Sequence, residues 1–373
     1  MSVPPFGFAT AGQIRFGRGV LADVVPFAAN ARRVLLLRSA SVAQADDLAR
    51  ALAGEVLELT ARGEPDLPQL EATLTQARAF GPDLIIAIGG GAIIDHGKAL
   101  AALVPAPHGA MRYLEVVGEG QPLDAAPLPL VAIPTTAGTG AEVTRNAVIG
   151  VPESGRKVSL RDPRMYPVLA LVDPDLLESC PRGVTLASGL DAITQVVEPF
   201  ICTRANPMTD ALCRDAIPRG LRALHRLMEH GESAAWDDMA LTSLFGGLAL
   251  ANAGLGAVHG FAGVIGGRTG AAHGAICGAL LVPVMRANHA AAARESEAAN
   301  CIDWVDAQIT AEFGGLSDFH AWAQGHGLAG LAALGVDTFE HAELAREARL
   351  SSSYKANPVE LSLDDLTAIL AAA

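Results

Sequence analysis

Aromatic residues are scarce in this chain: they make up 5% of 373 residues, with three tryptophans and three tyrosines. The core must therefore be assembled from Ala, Leu, Val and Ile, within a hydrophobic fraction of 50%. Basic residues are outnumbered as well, 27 Lys and Arg against 40 Asp and Glu, for a net charge of −13. That field repels a phosphate backbone, which excludes nucleic acid as a partner and still leaves room for a local dinucleotide site. The five cysteines (Cys180, Cys202, Cys213, Cys277, Cys301) are scattered and form no C-x-x-C pair. A disulfide framework and a zinc ribbon are thus excluded, and reduced thiols in a cytoplasmic protein are expected. The first residues lack a basic stretch followed by an apolar one, so no signal peptide is expected.

Charge is missing altogether from Met239 to Gly267. The run is long enough to cross a bilayer. It is nevertheless interrupted by Thr242, Ser243, Asn252, His259 and many glycines, and no basic cluster marks its ends. It reads as a buried helix followed by a tight turn in a soluble protein, with no membrane partner.

The length exceeds one typical core and suggests two domains. Short apolar runs at Arg33–Arg38, Glu55–Thr60, Leu84–Ile88, Leu128–Ile133 and Val168–Val172 read as strands. Helical patterns lie between the first of them, at Ala43–Ala53, Asp66–Phe80 and Ala92–Val104. Continuous apolar strands alternating with helices imply a parallel sheet covered on both faces. After Cys180 helical periodicity dominates, broken at turns such as Arg204–Pro207 and Glu229–Gly231. The expected architecture is α/β plus all-α: a Rossmann-like α/β domain over residues 1–181 and a helical domain over 182–373.

Two turns carry the nucleotide chemistry. Ile85–Lys98 reads as strand, three glycines (Gly89, Gly90, Gly91), then helix. Glycines let a ligand approach the backbone, and the helix start offers free N–H groups and a positive dipole end. A tight strand–helix connection with Asp95 and Lys98 as an ordinary surface ion pair is the plainer alternative. The second turn, Ile133–Thr144, holds Thr135, Thr136 and Thr139 among glycines. In an open parallel sheet both would lie beyond the carboxyl ends of strands and face one ligand.

In the second half, Asp191 and Gln195 stand four apart in a helical pattern and share a face. His259 and His273 bracket a glycine-rich stretch. Two imidazoles and a carboxylate can hold a divalent ion such as Fe²⁺ or Zn²⁺, although a histidine near glycines is more often structural.

The combination Gly89-Gly-Gly-Ala-x-x-Asp95-x-x-Lys98 and Pro134-Thr-Thr-Ala-Gly-Thr-Gly-Ala-Glu142 resembles the fingerprints of the iron-containing alcohol dehydrogenases. Ala92 and Ala141 replace serines of that pattern. Arg161-Asp-Pro163, Val172-Asp-Pro-Asp-Leu176 and the late Ser353…Asn357-Pro358 match as well. The resemblance implies a dehydroquinate synthase-like two-domain plan and an NAD(P)-dependent alcohol dehydrogenase, as a homodimer acting on a small alcohol or carbonyl compound. By it, Gly89, Gly90, Gly91 and Asp95 hold the pyrophosphate, Thr135, Thr136 and Thr139 line the cofactor, and Lys157 lies near the nicotinamide ribose. It also makes Asp191, His259 and His273 metal ligands. Gln195 and Gly263 stand where the family has histidines, and this leaves three outcomes: Gln195 as fourth ligand, three ligands plus water, or no metal. A retained but weakened site is expected, polarising the substrate oxygen while hydride passes to or from nicotinamide.

For the cofactor, Arg38-Ser39-Ala40-Ser41 follows the first strand, where the adenine ribose should fall. A hydroxyl at Ser39 and a nearby guanidinium can accept a 2′-phosphate, which tilts the expectation to NADP. Two other activities remain as alternatives, a metal-independent reductase of the maleylacetate reductase type and a sugar-phosphate cyclase.

Overall fold

The computed structural model describes residues 5–373. It divides into two compact units, one of Thr10–Thr136 with Gly140–Ser179, the other of Cys180–Ala373 joined by Ala137–Thr139 and residues 5–9.

The first unit runs β1 (Ile14–Phe16), α1 (Val24–Phe27), β2 (Arg33–Ser39), α2 (Gln44–Ala51), β3 (Glu55–Ala61), α3 (Leu67–Phe80), β4 (Leu84–Gly89), α4 (Gly91–Leu103), β5 (Leu130–Pro134), β6 (Asn146–Val151), β7 (Arg156–Arg161) and β8 (Leu169–Val172). Six strands form one sheet in the order β1-β8-β5-β4-β2-β3, and every pairing in it is parallel. Side chains alternate across a strand, so neighbouring residues serve opposite faces. Leu35, Leu37, Ile85 and Ala87 pack with Leu70, Leu74 and Leu100 of α3 and α4. Val34, Leu36, Ile86 and Ile88 pack with Val24, Ala45 and Leu48 of α1 and α2 on the other side. The two covered faces explain why β2 and β4 read as unbroken apolar runs.

Sequence reading missed the antiparallel pair β6–β7, which forms a separate two-stranded sheet. In Asn146–Val151 only alternate residues are fully buried, as expected of a ribbon covered on one face.

The second unit is built from α5 (Arg182–Ile201), α6 (Pro207–His230), α7 (Ala235–Asn252), α8 (Ala257–Thr269), α9 (His273–Ala291), α10 (Glu297–Phe313), α11 (Leu316–Gly325), α12 (His341–Leu350) and α13 (Leu363–Ala372). The expected breaks are present. Asn206 caps α6 by accepting from the Met208 and Thr209 N–H groups, and Gly231 ends the helix with a left-handed φ of 63°. Helix α5 packs against α6, α7, α9 and α10, and from Gly189 to Ile201 it is buried throughout. The uncharged run is the bent pair α7–α8, turning by 98°; among the described residues no single helix is long and apolar enough to cross a membrane.

Candidate functional site

In the first unit, Gly89 pairs in register with Pro134, so the two expected turns leave adjacent strand ends. The Thr135 N–H donates to the Gly89 carbonyl at 3.0 Å. A Cβ on Gly90 would stand 3.3 Å from the Thr136 hydroxyl oxygen, which shows how closely the turns approach. No side chain caps the N-terminus of α4 at Gly90, so no protein side chain stands in for an anion there.

In the pair of Asp95 and Lys98 the lysine is fully buried and the carboxylate half-buried, so it is no ordinary surface pair. The Lys98 Nζ lies 2.8 Å from Asp95 Oδ1 and donates to Thr144 Oγ1 at 2.8 Å. Asp95 Oδ2 accepts from the Val148 N–H at 3.0 Å, which fastens α4 to β6. Its carboxylate thus positions the glycine turn from behind. Glu142 is buried nearby; desolvation pushes its pKa up to about 7, with Lys98 opposing. Lys157 lies on β7 and pairs with Glu64. Thr139 belongs with the helical unit, whereas Thr135 and Thr136 belong with the sheet.

The Ser39 hydroxyl and the Arg38 guanidinium, expected beside a 2′-phosphate, both have protein partners. Ser39 ends β2, and its hydroxyl lies 3.1 Å from that of Ser41. The Arg38 guanidinium, however, is committed to Asp46, to Glu58 at 3.6 Å and to the Val42 carbonyl at 2.6 Å. Spacing along the chain could not show the acidic partners, which come from α2 and β3.

In the second unit, α5 presents Asp191, Gln195 and Glu198 at intervals of four and three residues, hence on one side. His259 stands in the first turn of α8; His273 opens α9, and Cys277 follows one turn later. The four ligand atoms of Asp191, His259, His273 and Cys277 all lie within 4.8 Å of one another. Asp191 Oδ1 is 3.5 Å from His259 Nε2 and 3.8 Å from His273 Nε2. Glycines make this approach feasible: a Cβ on Gly274 would fall 2.2 Å from the Ala187 carbonyl, and one on Gly278 would fall 2.6 Å from Leu190. Helix α9 can lie against α5 only because both positions lack a side chain.

Glu198 was not anticipated. Its carboxylate accepts from the Val258 N–H at 2.7 Å and sits 2.7 Å from His259 Nδ1. It therefore caps α8 and keeps the Nδ1–H of His259 engaged, which turns Nε2 toward Asp191. Asp191 Oδ1 and His259 Nε2 are both buried, and neither has a hydrogen-bond partner. Burial raises the Asp191 pKa, but the imidazoles of His273 and His259 outweigh it and hold the carboxyl below its ordinary range. Burial likewise lowers His259, yet Asp191 and Glu198 lift it to about 9. Such a site favours a positive charge. The donor set, two imidazoles and a carboxylate, with Asp191 Oδ1 and His259 Nε2 buried and without a hydrogen bond, fits a divalent cation.

Gln195 is buried, and its amide nitrogen donates to the Gly138 carbonyl at 3.1 Å. A Cβ on Gly263 would meet nothing within 4 Å, so the place of the absent histidine is open space. The late Asn357 accepts from the Ala257 N–H at 3.0 Å and donates to Asn288 at 2.7 Å, which makes it a second anchor of α8.

Comparison with known proteins agrees with this geometry. The family model described as iron-containing alcohol dehydrogenase matches residues 11–174, and that of the Fe-containing alcohol dehydrogenase family C-terminal region matches 185–373. The chain belongs to the iron-containing alcohol dehydrogenase family. A probable alcohol dehydrogenase, EutG of Escherichia coli, is 37% identical over 61% of this chain and 56% of its own length. The match thus spans little more than half of that relative. The 4-hydroxybutyrate dehydrogenase of Cupriavidus necator is 33% identical over 69% of this chain and 70% of its own. Among solved structures, an iron-containing alcohol dehydrogenase from Thermococcus thioreducens superposes with a TM-score of 0.85 at 26% identity, covering 98% of both chains.

Proposed function

We propose that this chain is an NAD(P)-dependent oxidoreductase that interconverts an alcohol with an aldehyde or ketone at a divalent metal centre. The observation that carries the reading is the facing of two buried atoms that lack a hydrogen bond, Asp191 Oδ1 and His259 Nε2, with His273 beside them. Family membership and the dehydrogenase names of the relatives support it.

Asp191, His259 and His273 would hold the cation. Of the fourth expected ligand, Gln195, only the carbonyl oxygen is left for that purpose. When bound, iron or zinc supplies Lewis-acid polarisation of the substrate oxygen, and a bound dinucleotide supplies hydride exchange. The chain's own part is preorganisation: Glu198 fixes the His259 tautomer, and Gly274 keeps α9 against α5. For the dinucleotide, Gly89, Gly90 and Gly91 with the start of α4 suit the pyrophosphate, and Asp95 braces them through Lys98 and β6. Thr135, Thr136 and Thr139 would line the cofactor, Lys157 would lie near the nicotinamide ribose, and Ser39 near the adenine ribose. The engagement of Arg38 by two carboxylates favours NADH over NADPH.

The cyclase alternative loses its main support, because Arg268, the basic residue near the two histidines, is spanned by Glu340, Glu343 and Glu347. A cytoplasmic location accords with five unpaired cysteines. A homodimer accords with the sheet edge at β1, where Ile14 and Phe16 are exposed.

The test combines elemental analysis of protein purified without chelators with oxidation of NADH and NADPH against a panel of aldehydes and ketones. Stoichiometric metal and metal-dependent turnover are expected. Full activity in metal-free protein, or no turnover with any carbonyl compound, would overturn the reading.

A further inference from the structure

Four of the five cysteines lie apart from the metal cluster; Cys277 lies within it. A buried cysteine ordinarily serves as a small apolar side chain. Cys277 has other surroundings: it is fully buried, its thiol faces the Asp191 carboxylate, and its sulfur belongs to the same group as the two imidazoles. We propose that Cys277 is the fourth protein donor of the centre, as a thiolate, making an Asp191–His259–His273–Cys277 site selective for zinc over iron, to which a substrate oxygen would add as a fifth ligand. The proposal rests on the metal-dependent reading above and specifies its ligand set.

The spacing is of the right size. Bond lengths of about 2.0–2.3 Å in a tetrahedral zinc site place neighbouring donor atoms roughly 3.3–3.7 Å apart. The observed pairs Asp191–His259 and Asp191–His273 are 3.5 and 3.8 Å apart, and no pair in the group exceeds 4.8 Å. Contraction by about an ångström closes the cage on that arithmetic. Position supports it too. Cys277 follows His273 by one helical turn on α9, and Gly278 holds that turn against Leu190 of α5. Gln195, by contrast, spends its amide on Gly138. A thiolate and a carboxylate together neutralise a divalent ion, and a soft sulfur donor prefers zinc or cobalt(II) to iron(II).

Cobalt(II) tests this without recourse to turnover. Full-length protein loaded with cobalt should bind one ion per chain and show a near-ultraviolet thiolate-to-cobalt charge-transfer band. Cys277→Ser should abolish the band and weaken cobalt binding by at least the roughly 10–100-fold that loss of an outer-sphere partner costs. Cys301→Ser, at a site outside the cluster, should keep both. Stoichiometric cobalt in the unsubstituted protein without the band would overturn the role of Cys277 and leave the metal centre standing. Survival of the band in Cys277→Ser would overturn it as well. Failure of the unsubstituted protein to bind cobalt or zinc would overturn the metal-dependent reading itself. The spectrum of the unsubstituted protein decides the matter even if the serine variant does not fold.

Discussion

The carboxylate of Glu198 and the imidazole of His259 meet at 2.7 Å with both side chains buried, and the same carboxylate receives two backbone N–H groups of α8. One residue thus fixes both the helix and the direction of its imidazole. Glu198→Ala should lower cobalt or zinc affinity roughly 10–100-fold. It should also cost about 1–3 kcal/mol of stability, because buried donors lose their acceptor. Chelator competition and urea unfolding measure the two effects; an unchanged metal affinity would remove Glu198 from the site.

Gly274 and Gly263 make opposite predictions from the same substitution. A methyl group at Gly274 collides with the Ala187 carbonyl at 2.2 Å, whereas at Gly263 it meets nothing within 4 Å. Gly274→Ala should destabilise by about 1–3 kcal/mol or more and loosen the metal site, since α9 must move off α5. Gly263→Ala, in the interior of α8, should stabilise by up to about 1 kcal/mol through helix propensity. Denaturant midpoints of the two variants compare them directly.

The environment of Arg38 predicts the cofactor. A 2′-phosphate beside Ser39 would confront Asp46 and Glu58 and find the guanidinium already paired. NADH should therefore exceed NADPH in kcat/KM by about tenfold or more, which corresponds to 1.4 kcal/mol of discrimination. Asp46→Ser should narrow the gap by releasing Arg38. Equal efficiencies in the unsubstituted enzyme would contradict this account.

Two buried groups of the sheet unit titrate with opposite consequences. His96 is pushed down to about 4 by desolvation, with its Nε2 bonded to Thr73 Oγ1 at 2.7 Å. Its unfolded value is 6.5, so its contribution is complete above that pH and is lost as the pH falls toward 4. Glu142, raised from 4.5 to about 7, contributes fully below pH 4.5 and loses that contribution as the pH rises through 7. Each amounts to about 3 kcal/mol at 1.36 kcal/mol per pH unit. In the intact protein the slopes oppose each other between pH 4.5 and 6.5. His96→Gln should make stability fall more steeply with rising pH in that window, and Glu142→Gln should make it rise. Urea midpoints at a series of pH values read both signs.

The strands that form the nucleotide unit were legible because burial on two faces leaves an unbroken apolar run, as at Leu84–Gly89. The β6–β7 pair was not, since a short ribbon with alternating burial gives a weak signal beside two strong glycine turns. Asp191, His259 and His273 could each be picked out from residue type and spacing. Glu198 and Cys277 could have been suspected from their helical spacing to Asp191 and His273, but helical spacing marks only a shared face.

Sequence by itself determined the family, the two glycine-bearing turns and three of the four side chains that cluster at the candidate metal site, because these depend on residue chemistry and local periodicity. Tertiary structure decided which faces meet. It set Glu198 behind His259, brought Cys277 to Asp191 through the close packing of α5 and α9, and turned Asp46 and Glu58 onto Arg38. The physical reason is the same in each case: a side chain's charge, reach and geometry are local properties, while its partner is fixed only when distant elements pack.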